Sequence, residues 1–439
     1  MSTLLAVDMS SPYSLLIAAS IVLIFSFFFG EISKRTNVPS VLLLIILGVA
    51  INLGLQAIGE TEIEFFPILE ILGIVGLIMI VLEAALELKL DREKIIPITI
   101  ALAIALIGLL LSTWVTAIIL KYFIPELSDL QSWIYATPLS ILSSAIIIPS
   151  VIHLRADKKE FHIYESTFSD ILGIMMFYFL LSKVPAASSE LAADHAGGGS
   201  LLNFGLTTLL TVVLSLVFSY IIVFVFQRIK SSAKLFLLIS VLLLLYSIGK
   251  LLHLSPLFII LVFGLVIANT ELFFSGPLKK WLDKSKAKEV YHGLHLVTLE
   301  TAFVVRTFFF VIFGITIVFA TLLDWKVIGV SALCLAVIYV IRFVLLRIII
   351  GRDIMPQLFV APRGLITVLL YYAIPPEIQS ESFSEGILLF IIIGTSLMMT
   401  WAMVRNKKRS SKAVGRVKAL PVSETKWKVP EVFIDDNNE

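Results

Sequence analysis

Runs of about 20 apolar residues recur along this chain and decide its fold class before any motif does. Stretches such as Leu15–Phe29 and Leu235–Leu245 carry no charge on any face. Twenty helical residues cross the ~30 Å hydrocarbon layer of a bilayer. Only helix bundles and closed barrels satisfy every backbone group there. Barrel strands would read as alternating segments of ~10 residues, a pattern these runs lack. Composition agrees: 59% of residues are hydrophobic, 15% are charged and the mean hydropathy is +1.01, against ~45–50% apolar and ~25% charged in soluble domains. The expected fold is therefore an all-α polytopic membrane protein. A secreted disulfide scaffold is excluded, because Cys334 stands alone. The net charge of +2 excludes a basic nucleic-acid binder.

Breaking the runs at charges, Pro and Gly predicts 13 spans, at 12–30, 41–58, 67–88, 97–120, 133–152, 163–183, 202–226, 235–252, 255–270, 296–322, 327–346, 357–375 and 386–403. Ser11–Phe29 has neither a basic n-region nor an evident cleavage site, so it reads as a retained helix. With the N-terminus outside and the C-terminus cytoplasmic, 27 of the 34 Lys and Arg residues fall in cytoplasmic segments, four fall outside and three lie within spans. That asymmetry is the positive-inside signal. The membrane unit is expected to cover 1–403, followed by a short basic tail at 404–439. In that tail Arg405, Lys407, Lys408 and Arg409 would face anionic lipid. The longest outer loop, Pro185–Ser200 with His195 and Gly197–Gly199, reads as flexible.

Ionisable groups at membrane depth are costly and mark function by default. They are Glu83 in span 3, Glu165 and Asp170 in span 6, Glu300 and Arg306 in span 10, Arg342 in span 11 and Arg363 in span 12. Glu87, Arg347 and Glu300 are near enough to span ends to snorkel. Asp170 is not, and Ser166, Ser169, Asp170 and Gly173 fall on one helix face. Hydroxyls, a carboxylate and a small residue on one face suit a desolvated cation. Spans 5 and 12 are interrupted: Pro138 to Pro149 enclose Ser140, Ser143 and Ser144, and Pro356 is followed by Pro362-Arg363-Gly364. Each is the middle of a three-span unit, 4–6 and 11–13, and the seven-span offset inverts one unit relative to the other. Interrupted helices at matching positions of inverted repeats point to a transporter's ion site.

These residues resemble the cation:proton antiporter superfamily, in its sodium/proton exchanger branch of the bacterial type. Val81-Leu82-Glu83-Ala84-Ala85-Leu86 is similar to that branch's Phe-Glu-Gly-Ala-Leu pattern. Glu165-Ser166-x-x-Ser169-Asp170 is similar to its Glu-Ser-x-x-Asn-Asp motif. Arg342 stands where the branch has an arginine, and Arg363-Gly364 matches its Arg-Gly pair. The chain departs from the branch at Ser169, where the family has Asn. It departs again at Ser143-Ser144-Ala145, where the family has Thr-Asp-Pro; that stretch is closer to the potassium-efflux branch.

The resemblance implies that Asp170 binds cation or proton in turn. Ser166 would be a ligand and Glu83 a water-mediated one, with Ser169, Ser143, Ser144 and Thr137 completing the ion-binding set. Glu165 and Arg342 would form a structural ion pair, and Arg363 would be the charge of the second broken helix. A moving core at 97–183 and 327–403 would work against a dimerisation scaffold at 12–88 and 202–322, in an elevator-type cycle of a homodimer in a bacterial plasma (inner) membrane. No role follows for Arg306.

The expected function is exchange of Na⁺, or of Li⁺ or K⁺, for H⁺, electroneutral at 1:1 because Arg342 neutralises Glu165 and leaves one titrating carboxylate. No cofactor is implied. A sodium-coupled solute carrier on a related fold is the alternative, disfavoured because no aromatic cluster accompanies the site. A channel would need filter rings, and an enzyme a motif such as His-Glu-x-x-His or Gly-x-Ser-x-Gly; neither is present. His153, His162, His253, His292 and His295 lie in or near loops and read as solvated.

Overall fold

A computed structural model describes residues 12–36, 38–58, 66–90, 94–151, 154–184, 201–226, 228–229, 234–251, 256–274, 284–316, 321–322 and 324–419. The loop Pro185–Ser200 with His195, the tail beyond 419, His153 and His253 lie outside them. The described residues form helices and no strand. In chain order these are α1 (Pro12–Thr36), α2 (Ser40–Ile58), α3 (Phe66–Glu87), α4 (Ile95–Phe123), α5 (Asp129–Ser140), α6 (Ser144–Ser150), α7 (Ala156–Leu181), α8 (Leu201–Phe226), α9 (Lys234–Leu251), α10 (Pro256–Ala268), α11 (Thr270–Phe273), α12 (Lys284–Thr316), α13 (Trp325–Ile349), α14 (Leu365–Tyr372) and α15 (Glu385–Ala419). Each expected span coincides with one helix or one broken segment. Seven of the segments are long and apolar enough to cross a bilayer alone, and α8, α9 and α10 contain shorter apolar stretches. The chain is an integral, multi-pass membrane protein.

Two packed groups meet along α3. In one, α2 and α3 lie against α12, and α10 lies against α3, α8 and α9; in the other, α4 packs on α5, α7 and α13, and α13 on α15. Helix association in lipid rests on close packing rather than on apolar burial, so small residues sit at the tightest crossings. At the α2–α12 crossing a Cβ added to Gly48 would lie 2.1 Å from the Val311 carbonyl oxygen and 2.8 Å from Gly314 Cα. Side chains such as Trp114, Ile118 and Trp401 are exposed on the outer surface, where lipid replaces water.

Both middle spans are broken. Span 5 is α5, the extended residues Ile141–Ser143, then α6. α5 starts at a Ser128–Gln131 capping box, with Gln131 Nε2 also donating to the Ile378 carbonyl. Span 12 departs further from expectation: its first half, 355–364, is not α-helical, and only α14 is. Pro356 and Pro362 supply no backbone donor. Ser143 N donates to the Pro362 carbonyl at 2.9 Å, so the two breaks touch backbone to backbone. A Cβ on Gly364 would lie 2.6 Å from Ser143 Oγ, so glycine is what allows this approach.

Three helices outrun the apolar runs that announced them. α7 begins at Ala156, α12 at Lys284, and α15 continues to Ala419. Their polar extensions are rich in Ala, Lys, Arg and Glu, which favour helix without favouring lipid.

Candidate functional site

α7 carries the motif residues through the centre of the second group. Glu165, Ser166, Ser169, Asp170 and Gly173 are all buried on it. A Cβ on Gly173 would lie 2.3 Å from Ile141 Cγ1, so the break in span 5 rests directly on α7. Ser169 Oγ accepts from Leu142 N at 3.0 Å, and Asp170 Oδ2 accepts from Ser144 N at 3.3 Å. Both amides are orphaned by the break: Leu142 precedes α6 and Ser144 opens it. Asp170 is only 2% exposed, and its Oδ1 has no hydrogen-bond partner among the described residues. A cavity of about 20 Å³ adjoins it, lined by Ala84, Ile174, Leu257 and Ile366 among others. A carboxylate desolvated this far is satisfied by a proton or by a small cation, but one oxygen cannot take both at once.

One and a half turns earlier on α7, both oxygens of Glu165 are paired. Arg342 Nη1 donates to Oε1 at 2.7 Å and Nη2 to Oε2 at 2.8 Å. Arg342 also donates to the carbonyls of Gln357 and Val360, both at 3.1 Å, in the non-helical half of span 12. The planar guanidinium thus ties α13, α7 and span 12 together. His162, expected to be solvated, is instead fully buried, with Nδ1 3.4 Å from Glu165 Oε2. One turn before Glu165 on α7, it faces inward with the ion pair. A cavity of about 30 Å³ touches Glu165, Arg342, Ser169, Ser140 and Arg363.

Arg363 is 2% exposed and, among the described residues, forms no ion pair with a carboxylate. Its Nε donates to the Leu139 carbonyl at 3.0 Å, Nη2 to that of Ser140 at 3.1 Å and Nη1 to that of Ala361 at 2.8 Å. Leu139 and Ser140 end α5, where the helix carries partial negative charge and unpaired carbonyls. The guanidinium therefore caps one half of span 5.

The remaining expected residues spread out. Ser143 Oγ is buried without a partner at the contact with Gly364. Ser166 donates to the His162 carbonyl of its own helix at 2.7 Å, leaving its lone pairs unused. Thr137 likewise donates to the Trp133 carbonyl at 2.8 Å, inside α5 and before the break.

Glu83, expected as a water-mediated ligand, faces Arg306 Nη2 at 3.3 and 3.1 Å through its two oxygens. The pair unites two residues without a predicted partner, from α3 and α12, 223 positions apart. Glu300 is exposed.

Sequence reasoning also missed what fastens the end of α3. Asn269 Nδ2 donates to the Leu88 carbonyl at 2.8 Å, and its Oδ1 accepts from Leu90 N at 2.6 Å. Glu87, expected to snorkel, meets His295 Nε2 at 3.0 Å. A buried amide side chain after the apolar run of α10 was the available signal for Asn269.

Comparisons with known proteins bear on this arrangement. The profile of the transmembrane sodium/hydrogen exchanger family matches residues 20–405. No curated protein matches the sequence. Among solved structures, the fold is similar to the sodium proton antiporter MjNhaP1 of Methanocaldococcus jannaschii at pH 8, with a TM-score of 0.64, 19% identity and coverage of 90% of this chain and 99% of that one. An electron-microscopy map of MjNhaP1 gives a TM-score of 0.61 at 17% identity, covering 95% of this chain and all of that one. With a profile spanning nearly all of its membrane helices, the chain belongs to the sodium/hydrogen exchanger family, whose members exchange cations for protons.

Proposed function

We infer that the chain exchanges Na⁺ for H⁺ at Asp170, with Li⁺ and K⁺ as further candidate cargoes. The observation that carries this reading is the buried carboxylate at the break of span 5, with one oxygen bonded to a backbone amide and the other unpartnered. Proton and cation compete for that oxygen. Ser166, with free lone pairs on the same helix face, is assigned as a ligand, and Ser143 and Ser144 supply the adjacent turn. Ser169 and Thr137 have a supporting role, since their hydroxyls are engaged with backbone.

Charge accounting supports electroneutral 1:1 exchange. Arg342 neutralises Glu165 and Arg306 neutralises Glu83, so Asp170 is the one carboxylate of the site without a cationic partner. The cavity at Asp170 has room for a water-sized guest, which disfavours the reading as a carrier of organic solutes. The moving core comprises about 97–183 and 327–403, and the scaffold about 12–88 and 202–322, in an elevator-type cycle of a homodimer. The N-terminus lies outside and the C-terminus in the cytoplasm of a bacterial plasma membrane, an orientation that the distribution of Lys and Arg supports.

Proteoliposomes with the potential clamped by valinomycin and potassium test this reading, with Na⁺ as the transported ion. The Na⁺/H⁺ equilibrium is expected not to move under ~100 mV, which is worth ~2.3 kcal/mol per charge carried. A shift of the equilibrium would show that the cycle moves charge.

A further inference from the structure

Arg306 joins three elements. It pairs with Glu83 of α3, projects from α12 and donates through Nη1 to the Ala145 carbonyl of α6 at 3.0 Å. That carbonyl is available for a reason written in the sequence: its helical donor would be the amide of residue 149, and residue 149 is proline. Pro149 thus creates the acceptor that Arg306 takes, across the contact between the two packed groups.

The position of this cluster gives it a role. A cavity of about 270 Å³ lies between α1, α2, α12 and α6, lined by Ser26, Ser40, Ala145, Pro149, Arg306 and Thr307 among others. The small cavity at Asp170 is a separate one, with Ala84 in its wall. Glu83 immediately precedes Ala84, and Ala145 immediately follows Ser144, whose amide holds Asp170. Arg306 and Ala145 thus line the large cavity, while their partners Glu83 and Ser144 adjoin Ala84 and Asp170 of the small one, so this cluster links the two.

We propose that Arg306 is the gate between the large cavity and Asp170, latched on the carbonyl that Pro149 frees. The proposal rests on the assignment of Asp170 as the ion site for its meaning, but its geometry is testable without transport. While the latch is closed, the guanidinium occupies the route and presents positive charge to an entering cation. Because α12 belongs to the scaffold and α6 to the core, the bond must break whenever the two move apart. Arg306 is thus a positioning residue that couples access to movement.

Thiol labelling in a Cys334→Ser background tests it, since Cys334 is the chain's one cysteine. Ala84→Cys places a thiol beyond the gate, and Ser40→Cys places one in the large cavity. The probe is a small cationic methanethiosulfonate applied to sodium-free proteoliposomes. Glu83→Gln with Arg306→Gln removes the gate at constant net charge. It should raise labelling of Ala84→Cys at least tenfold and leave that of Ser40→Cys unchanged. Pro149→Ala keeps Glu83 and Arg306 but returns a helical donor to the Ala145 carbonyl, and should raise Ala84→Cys labelling by a smaller factor. Equal labelling of Ala84→Cys in all three backgrounds, with Ser40→Cys reactive throughout, would overturn the gate even if Na⁺/H⁺ exchange at Asp170 stands. Loss of exchange in Asp170→Asn with this labelling pattern intact would support both readings. Retained exchange in Asp170→Asn with the pattern intact would overturn the ion-site assignment and leave the gate standing.

Discussion

Two carboxylates sit five residues apart on α7, and the fold treats them in opposite ways. Glu165 meets a guanidinium through both oxygens, and that guanidinium spends its further donors on two carbonyls of span 12. Asp170 receives one long bond from a backbone amide and keeps an unpartnered oxygen. Burial alone therefore does not mark the working residue, because both groups are buried. The difference lies in the partners: each oxygen of Glu165 has a cationic donor, and Asp170 keeps one oxygen with none. The ion pair holds three spans in register, and the carboxylate with the unpartnered oxygen is left to trade ligands.

The largest expected effect separates the two by function. Asp170→Asn keeps the shape and removes the titrating charge. Exchange in everted vesicles, followed by fluorescence dequenching on adding Na⁺, should fall to the level of empty vesicles. Thermal stability in detergent should hold or rise, since no buried charge is left to satisfy.

Glu165 should show the reverse priority. Removing one partner of a buried pair strands the other, at a cost of ~3–5 kcal/mol. Glu165→Ala and Arg342→Ala should each lower the melting temperature substantially, and the double-alanine variant should lose less than the sum of the two, because the partners are coupled. Exchanging the residues, Glu165→Arg with Arg342→Glu, should recover only part of the loss. A glutamate at 342 cannot donate to the Gln357 and Val360 carbonyls. Full recovery would mean that those two bonds carry little.

Arg363 extends the comparison to a buried cation with no carboxylate. Arg363→Gln leaves the terminal carbonyls of α5 short of donors but strands no opposite charge, and the glutamine amide can still donate to one of them. Melting should fall by less than in Arg342→Ala. The smallest effect is assigned to Ser169→Ala, which removes the acceptor for Leu142 N at a cost of ~1–3 kcal/mol for an unsatisfied buried donor. Its exchange should be reduced and not lost, because the hydroxyl is turned to the backbone. Loss as complete as in Asp170→Asn would place Ser169 among the ligands.

The spans were legible because hydropathy and charge asymmetry act over tens of residues, and both survive reading one chain alone. Asp170 was legible because a carboxylate deep in an apolar run has few structural excuses. The Glu165–Arg342 contact was expected from resemblance and not from spacing, since 177 positions separate the two. What stayed hidden depends on tertiary meeting points. Glu83 and Arg306 find each other across two helices, and nothing local to either announces it. His162 looked solvated because it stands near the start of the apolar run, whereas α7 begins at Ala156 and turns that position inward. The non-helical half of span 12 was foreshadowed by its prolines, but hydropathy does not distinguish a helix from a segment of turns and irregular backbone that borrows donors from Arg342 and Arg363.

The most direct test of the central claim, that one carboxylate serves cation and proton in turn, is the half-saturating Na⁺ concentration of exchange as a function of pH in proteoliposomes. Competition at a single site predicts that it rises about tenfold per unit of falling pH once Asp170 begins to take up its proton, with the maximal rate at saturating Na⁺ little changed over that range. A half-saturating concentration that stays constant across the same pH range, while the maximal rate falls, would contradict it: proton and cation would then bind at separate groups.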